Sequence, residues 1–282
     1  MERKAFIHCM KAFFFISLNS YNYNYMKLHI PFALIFTFMA LQTNAQLKAV
    51  AYTDGNQKLN GFAIAPVKKT PQTPGILILP AWKGISDHSK RVAQELAGLG
   101  YYAFVADIYG EGNYPKDTKE AGKQSGYYKS HPEDYQRRIK LAMEQLIKFG
   151  ANPEDIVVIG YCFGGTGALE AARAQMAVRG VVSFHGGLGK DKSRENKKIK
   201  TKVLVLHGAD DPYVPQEDIL AFQQEMRDGN ADWQMIYYGN AVHAFTEKEA
   251  GNDNSKGAAY NEQANRRSWQ HFLLFLKETF EE

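Results

Sequence analysis

Cysteine is scarce in this chain: its 282 residues hold two, Cys9 and Cys162. That excludes a disulfide scaffold and a four-cysteine zinc or iron-sulfur site. Neither is needed, because a domain of this length buries roughly three quarters of the surface its unfolded chain exposes. An excess of charge of one sign is also missing. The 34 Lys and Arg residues face 30 Asp and Glu. Most of the resulting +4 sits in residues 1–45, where Arg3, Lys4, Lys11 and Lys27 stand against Glu2 alone. The rest is nearly neutral, so no nucleic acid or other polyanionic partner is expected. A hydrophobic share of 45% with 23% charged residues marks a globular chain rather than a disordered one. No internal repeat or dividing linker interrupts it.

The long hydrophobic runs of a membrane protein are absent too. The stretch Ile30 to Leu41 is apolar, but a helical span takes about 20 such residues. Lys27 precedes it and the small-residue ending Thr43-Asn44-Ala45 follows, the organisation of a secretory signal peptide. Translation is expected to start at Met26, cleavage to follow Ala45, and the secretion machinery to deliver the protein to the periplasm or the medium. Residues 1–45 are thus a targeting region and residues 46–282 one domain. Export leaves Cys162 without a partner for an internal disulfide, so it is either well buried or kept for its chemistry.

From residue 46 onward, short apolar runs alternate with amphipathic segments. A hairpin is expected at Ala49 to Thr53 and Leu59 to Ala65 around Asp54-Gly55-Asn56. Further strands follow at Gly75 to Leu79, Tyr101 to Ala106, Ile156 to Gly160, Val181 to Phe184, Val203 to Leu206 and Trp233 to Tyr238. Helices are expected at Asp87 to Leu99, Pro132 to Phe149, Gly165 to Gln175, Gln216 to Asp228 and Ala258 to Thr279; Val92, Leu96 and Leu99 share one face of the first. Strands apolar on both faces belong in a mostly parallel central sheet covered by helices on each side, a three-layer α/β fold. Asp107 to His131, with Gly110, Gly112, Gly122 and Gly126, reads as a long loop, and the basic run Gly186 to Lys202 as solvated surface.

The sharpest feature is the strand Ile156 to Gly160 running through Tyr161-Cys162-Phe163-Gly164-Gly165 into an alanine-rich helix. A tight strand-to-helix reversal exposes its central side chain, and small residues two before and two after let the neighbouring elements close in. Sulfur here occupies the place of a nucleophile. The helix N-terminus favours its thiolate. The competing reading is a small buried hydrophobe among packing glycines. A phosphate loop is excluded because no Gly-Lys-Ser/Thr follows. Farther on, Asp210 and Asp211 follow the strand Val203 to Leu206, and His243 lies in the loop after Trp233 to Tyr238. Elbow, acid and histidine in this order suit acyl transfer. Spacing does not choose between the two aspartates. The Phe163 N–H would donate to an oxyanion, with a second donor from Pro80 to Gly84.

Gly160 to Gly165, Leu206 to Pro215 and Tyr238 to Phe245 together resemble the dienelactone hydrolase family, over nearly all of residues 50–280. The resemblance implies an α/β-hydrolase fold, a Cys162-His243-Asp211 triad and a Trp82 N–H as second oxyanion donor, with no metal or cofactor. It also exposes departures. Ala81 stands where the family has a glutamate that helps generate the thiolate. Glu247 stands where one of two substrate-clamping arginines is expected, and Arg137 or Arg138 approximates the other. A glutamate in that place repels a carboxylate. The expected function is hydrolysis of a small ester or lactone through an acyl-enzyme. Thioesterase, peptidase, acyltransferase and non-catalytic small-molecule binding roles stay open on the same fold.

Overall fold

The computed structural model describes residues 46–281. The expected signal segment, Met26 to Ala45, lies outside them. Among the described residues no helix is long and apolar enough to cross a membrane.

Eight strands form one sheet in the order β1-β2-β4-β3-β5-β6-β7-β8. They are β1 (Lys48–Asp54), β2 (Gln57–Ile64), β3 (Gly75–Leu79), β4 (Tyr102–Val105), β5 (Ile156–Tyr161), β6 (Gly180–Phe184), β7 (Lys202–Gly208) and β8 (Trp233–Tyr238). The β1–β2 hairpin turns over Gly55 at φ +57°, with Asp54 opposite Gln57, and joins β4 antiparallel; all other pairings are parallel. Every residue of β3, β5 and β6 is buried, as continuously apolar strands require when both faces are covered.

The helices are α1 (Asp87–Gly98), α2 (Thr118–Ser130), α3 (Pro132–Phe149), α4 (Phe163–Arg173), α5 (Gln216–Asp228) and α6 (Glu262–Glu281). Alternate residues of each strand feed two cores. Leu77 and Val158 face Ile139 of α3, Leu169 of α4 and Phe222 of α5. Ile76 and Val157 face Leu96 of α1 and Phe272 of α6. The parallel strands therefore all point their C-terminal ends to one rim, and the loops leaving that rim carry the candidate chemistry.

Three expectations need correction. Residues 107–131 are not all loop, because Thr118–Ser130 is helical. Asp117 caps that helix by accepting from the Glu120 N–H at 2.8 Å, and Ala121, Ser125 and Tyr128 form its buried face. Gly122 and Gly126 interrupt that period and lower the helix propensity by about 1 kcal/mol each, which hid it. Leu99 is 52% exposed, since α1 ends at Gly98 and Leu99 turns away as its C-cap. Within the basic run most side chains are solvated, but Lys190 and Arg194 are partly buried, Lys190 Nζ standing 3.5 Å from Glu225. Both terminal nitrogens of Arg194 donate to Glu170 at 2.9 Å, in a buried cluster where Arg173 bridges Glu170 and Glu225. That cluster ties the segment after β6 to α4 and α5.

Candidate active site

β5 ends at Tyr161 and α4 begins at Phe163, so Cys162 alone makes the reversal. Its backbone sits at φ 54°, ψ −115°, strain that surrounding structure must hold. The flanking glycines explain how. A Cβ on Gly160 would fall on the Gly164 carbonyl, and one on Gly164 would fall on the backbone carbonyl of Leu79. One on Gly165 would lie 2.6 Å from Ser183 Oγ. Because these neighbours are mostly backbone and cannot swing aside, Gly164→Ala is expected to destabilise the protein by about 3 kcal/mol or more. Urea unfolding checks this; a midpoint equal to that of the wild type would refute it.

Phe163 is the first residue of α4, so its N–H is among the helix donors without an intrahelical partner. The residue is held from its other side: the Tyr135 ring stacks on the Phe163 ring at 4.5 Å, and the Tyr135 hydroxyl donates to the Phe163 carbonyl at 3.0 Å. Trp82 lines a pocket together with Phe163, and its carbonyl accepts from the Tyr109 hydroxyl at 2.7 Å. Both residues expected to supply an oxyanion donor are thus held by buried tyrosines through their carbonyls, in the peptide that follows the donating N–H.

Of the two aspartates, Asp211 reaches the histidine. Its Oδ2 lies 2.8 Å from His243 Nδ1, while Oδ1 accepts from the Tyr213 N–H at 2.9 Å. Asp210 is exposed. The loop holding His243 is anchored by backbone bonds from His243 to Gly257 and from Ala259 back to His243. Burial opposes charge on His243, but the hydrogen bonds to Asp211 and to Cys162, with the charges of both, outweigh it and push its pKa up to about 10. With Nδ1 on Asp211, Nε2 is the nitrogen left for the sulfur and the substrate.

His185, which no sequence motif marked, proves central to the scaffold. It is fully buried, at the C-terminal end of β6 and at φ 41°. Its Nδ1 accepts the backbone N–H of Cys162 at 3.2 Å, a proton shared with the Phe184 carbonyl at 3.0 Å. Nε2 therefore carries the hydrogen and donates to Thr246 Oγ1 at 2.8 Å. This contact is to the Cys162 backbone rather than to its sulfur. Burial, and next the neighbouring His243, hold the His185 pKa well below the ordinary histidine value. A neutral His185 thus links the elbow to the loop of His243. Its position at the end of the strand beside β5 was the one signal that could have found it.

Cys162, Phe163, Trp82, His243 and Glu247 line one pocket of about 710 Å³. Arg137 and Arg138 do not line it. They lie on α3, turned toward the β1–β2 hairpin, where Arg137 donates to Asp54 at 3.0 Å and to Asp134 at 2.7 Å. Arg138 Nε stands 3.0 Å from the same Asp54 carboxylate. Neither approximates a substrate clamp.

The profile of the dienelactone hydrolase family matches residues 59–280. The chain belongs to the dienelactone hydrolase family. A dienelactone-hydrolase-like promiscuous phosphotriesterase from metagenomic libraries has a solved structure that is 34% identical, with a TM-score of 0.79 over 84% of this chain and 99% of that one. A Bradyrhizobium protein described as a probable 2-oxo-3-(5-oxofuran-2-ylidene)propanoate lactonase is 27% identical over 85% of this chain and 96% of its own length. An uncharacterized Caenorhabditis elegans protein is 37% identical over 43% of this chain and 78% of its own length. This family member is accordingly a hydrolase of the α/β-hydrolase superfamily.

Proposed function

We propose that the protein cleaves a small, uncharged ester or lactone with Cys162 as nucleophile, His243 as proton carrier and Asp211 as its orienting partner. The observation that carries this reading is the 2.8 Å Asp211–His243 contact, with His243 lining the same pocket as Cys162 at the strained elbow. An imidazolium beside sulfur keeps the thiolate ready. The thiolate attacks the carbonyl carbon, and the resulting oxyanion accepts the Phe163 and Trp82 N–H groups. The C–O bond then breaks as His243 Nε2 passes its proton to the leaving alkoxide, which leaves a thioester on Cys162. A water molecule loses its proton to His243 and attacks the thioester. Collapse releases the acid and restores the thiolate and imidazolium.

Two relatives support the substrate class. One is named for a lactone, itself a propanoate and so an anion, and supports the bond cleaved; the other is named for phosphotriesters, which are uncharged esters, and supports the lack of charge. Glu247 in the pocket wall, where a cationic clamp would be expected, is consistent with a substrate that lacks a carboxylate. The test is an activated-ester electrophile followed by intact mass and peptide mapping, beside turnover of matched ester, thioester and amide panels. One acyl group on Cys162 and release of alcohol from esters are expected. Turnover without Cys162 labelling would overturn the mechanism, and faster turnover of amides would overturn the substrate class.

Export is part of the proposal. N-terminal mass spectrometry of native material is expected to find Gln46, open or cyclised, as the first residue. A cytoplasmic protein still carrying residues 27–45 would refute it.

A further inference from the structure

Two polar atoms in the pocket wall take no part in the chemistry described so far. His88 Nε2 and Glu247 Oε1 are both buried and have no hydrogen-bond partner among the described residues. Both residues line the pocket that holds Cys162. Buried polar atoms normally find partners, so a pair of orphans facing one pocket calls for a ligand group that satisfies them. Resting on the hydrolytic reading above, we propose that His88 and Glu247 form a polar subsite that takes a hydroxyl group of the substrate, so that the preferred substrates are hydroxylated esters or lactones.

The two residues reach this wall from different elements. His88 lies in the first turn of α1, whose start is fixed by the reciprocal Ser86–Ser89 capping bonds. Glu247 lies four residues past His243, its N–H donating to the Ala244 carbonyl at 2.9 Å. Both line the wall of the pocket that holds Cys162, and His88 packs on Tyr161, the residue before Cys162. The His88 ring stands edge-on to the Tyr161 ring at 4.8 Å. Tyr161 is itself locked by stacking on Phe184 at 4.6 Å. The His88 side of the subsite therefore rests on a fixed ring one residue before Cys162.

The choice of a hydroxyl follows from what surrounds the pair. Burial, and next the charge of Arg91, hold His88 neutral with a pKa of about 4. Its Nε2 can thus donate or accept according to tautomer. Burial first raises the Glu247 carboxyl; His243 and Lys83 pull it down and Glu249 adds to the rise. Glu249 is already occupied, accepting from Arg91 at 2.7 Å. An ammonium would enter against the charges of Arg91 and Lys83, and a carboxylate against Glu247 and Glu249. A hydroxyl carries no charge and offers one donor and two acceptor sites, so it suits either orphan whatever the His88 tautomer.

The test separates binding from turnover. Cys162→Ala protein is titrated calorimetrically with a hexanoate ester and with analogues bearing a hydroxyl at successive chain carbons, a terminal ammonium or a terminal carboxylate. At least one hydroxylated ester is expected to bind about tenfold or more tighter than the plain ester. Adding Glu247→Leu or His88→Phe should collapse that preference to within about twofold, and Glu247→Gln should retain part of it. Circular dichroism checks that each variant is folded. Equal binding of all hydroxylated and plain esters, tightest binding of the ammonium or carboxylate ester, or a hydroxyl preference that survives both substitutions would overturn the proposal. Wild-type turnover of the same esters reports separately on the triad: a hydroxyl preference in binding without any turnover would leave the subsite standing and sink the hydrolytic reading.

Discussion

Replacing Cys162 by alanine is expected to lower kcat/KM on any ester substrate by at least about 10³-fold while leaving the fold intact. On the proposed mechanism the loss follows from removing the group that forms the covalent intermediate, since backbone N–H groups such as those of Phe163 and Trp82 stabilise an oxyanion but do not attack a carbonyl. The fold should survive because the strain at φ 54° arises from having any Cβ at the elbow, and alanine carries the same Cβ. Cys162 is only partly buried, so the cavity left by one sulfur opens toward the pocket. Stability in urea should change by less than about 1.5 kcal/mol. Cys162→Ser should fold equally well and stay slow, because the ion pair suited to a thiol must then ionise a hydroxyl of far higher pKa. Retention of more than a few per cent of wild-type turnover in the alanine variant would remove Cys162 from the mechanism.

The parts legible in the sequence are those set by local physics. Continuous apolar runs in Gly75–Leu79 and Ile156–Tyr161 announced strands covered on both faces, and their bounds hold to within a residue. The elbow was legible because glycine spacing around Cys162 is a steric requirement, one that the close approach of Gly164 to Leu79 makes concrete. What stayed hidden depends on partners remote in sequence. Arg137 meets Asp54 across 83 residues, so nothing near it told which way that face of α3 turns. His185 finds Thr246 across 61 residues, and a lone histidine after a strand carries no local mark of that bond. His88 was equally silent, since its importance lies in which loop folds over α1. Position along the strand ends was readable; the second layer of polar residues holding those positions was not.

That second layer joins the two halves of the site. The Cys162 backbone, His185 and Thr246 form one hydrogen-bonded line, and Thr246 lies three residues beyond His243. The elbow is thereby tied by hydrogen bonds to the loop that holds His243. A neutral imidazole suits this task, because a second cation 5.3 Å from the His243 ring would oppose its protonation.

Asp211→Asn is expected to lower kcat/KM at neutral pH by about 10²- to 10⁴-fold and to change how both activity and stability depend on pH. In the wild type, burial disfavours the imidazolium, and Asp211 is the largest of the groups that reverse this, with Cys162 second. Asparagine keeps the shape and can still accept from the Tyr213 N–H, but it has no charge to set against burial. His243 should then be neutral at pH 7, leaving the thiolate without its cation, and activity should recover partly as alkaline pH ionises the thiol unaided. Stability follows the same proton. His243 has a folded pKa of about 10 against an ordinary 6.5, so its stabilisation is complete below pH 6.5 and is lost as pH rises toward 10. Urea unfolding at pH 6 and pH 10 should show a wild-type stability that falls over this window and a variant that starts lower and falls less. An asparagine variant with the wild-type slope and near-wild-type activity would show that Asp211 does not hold the charge on His243.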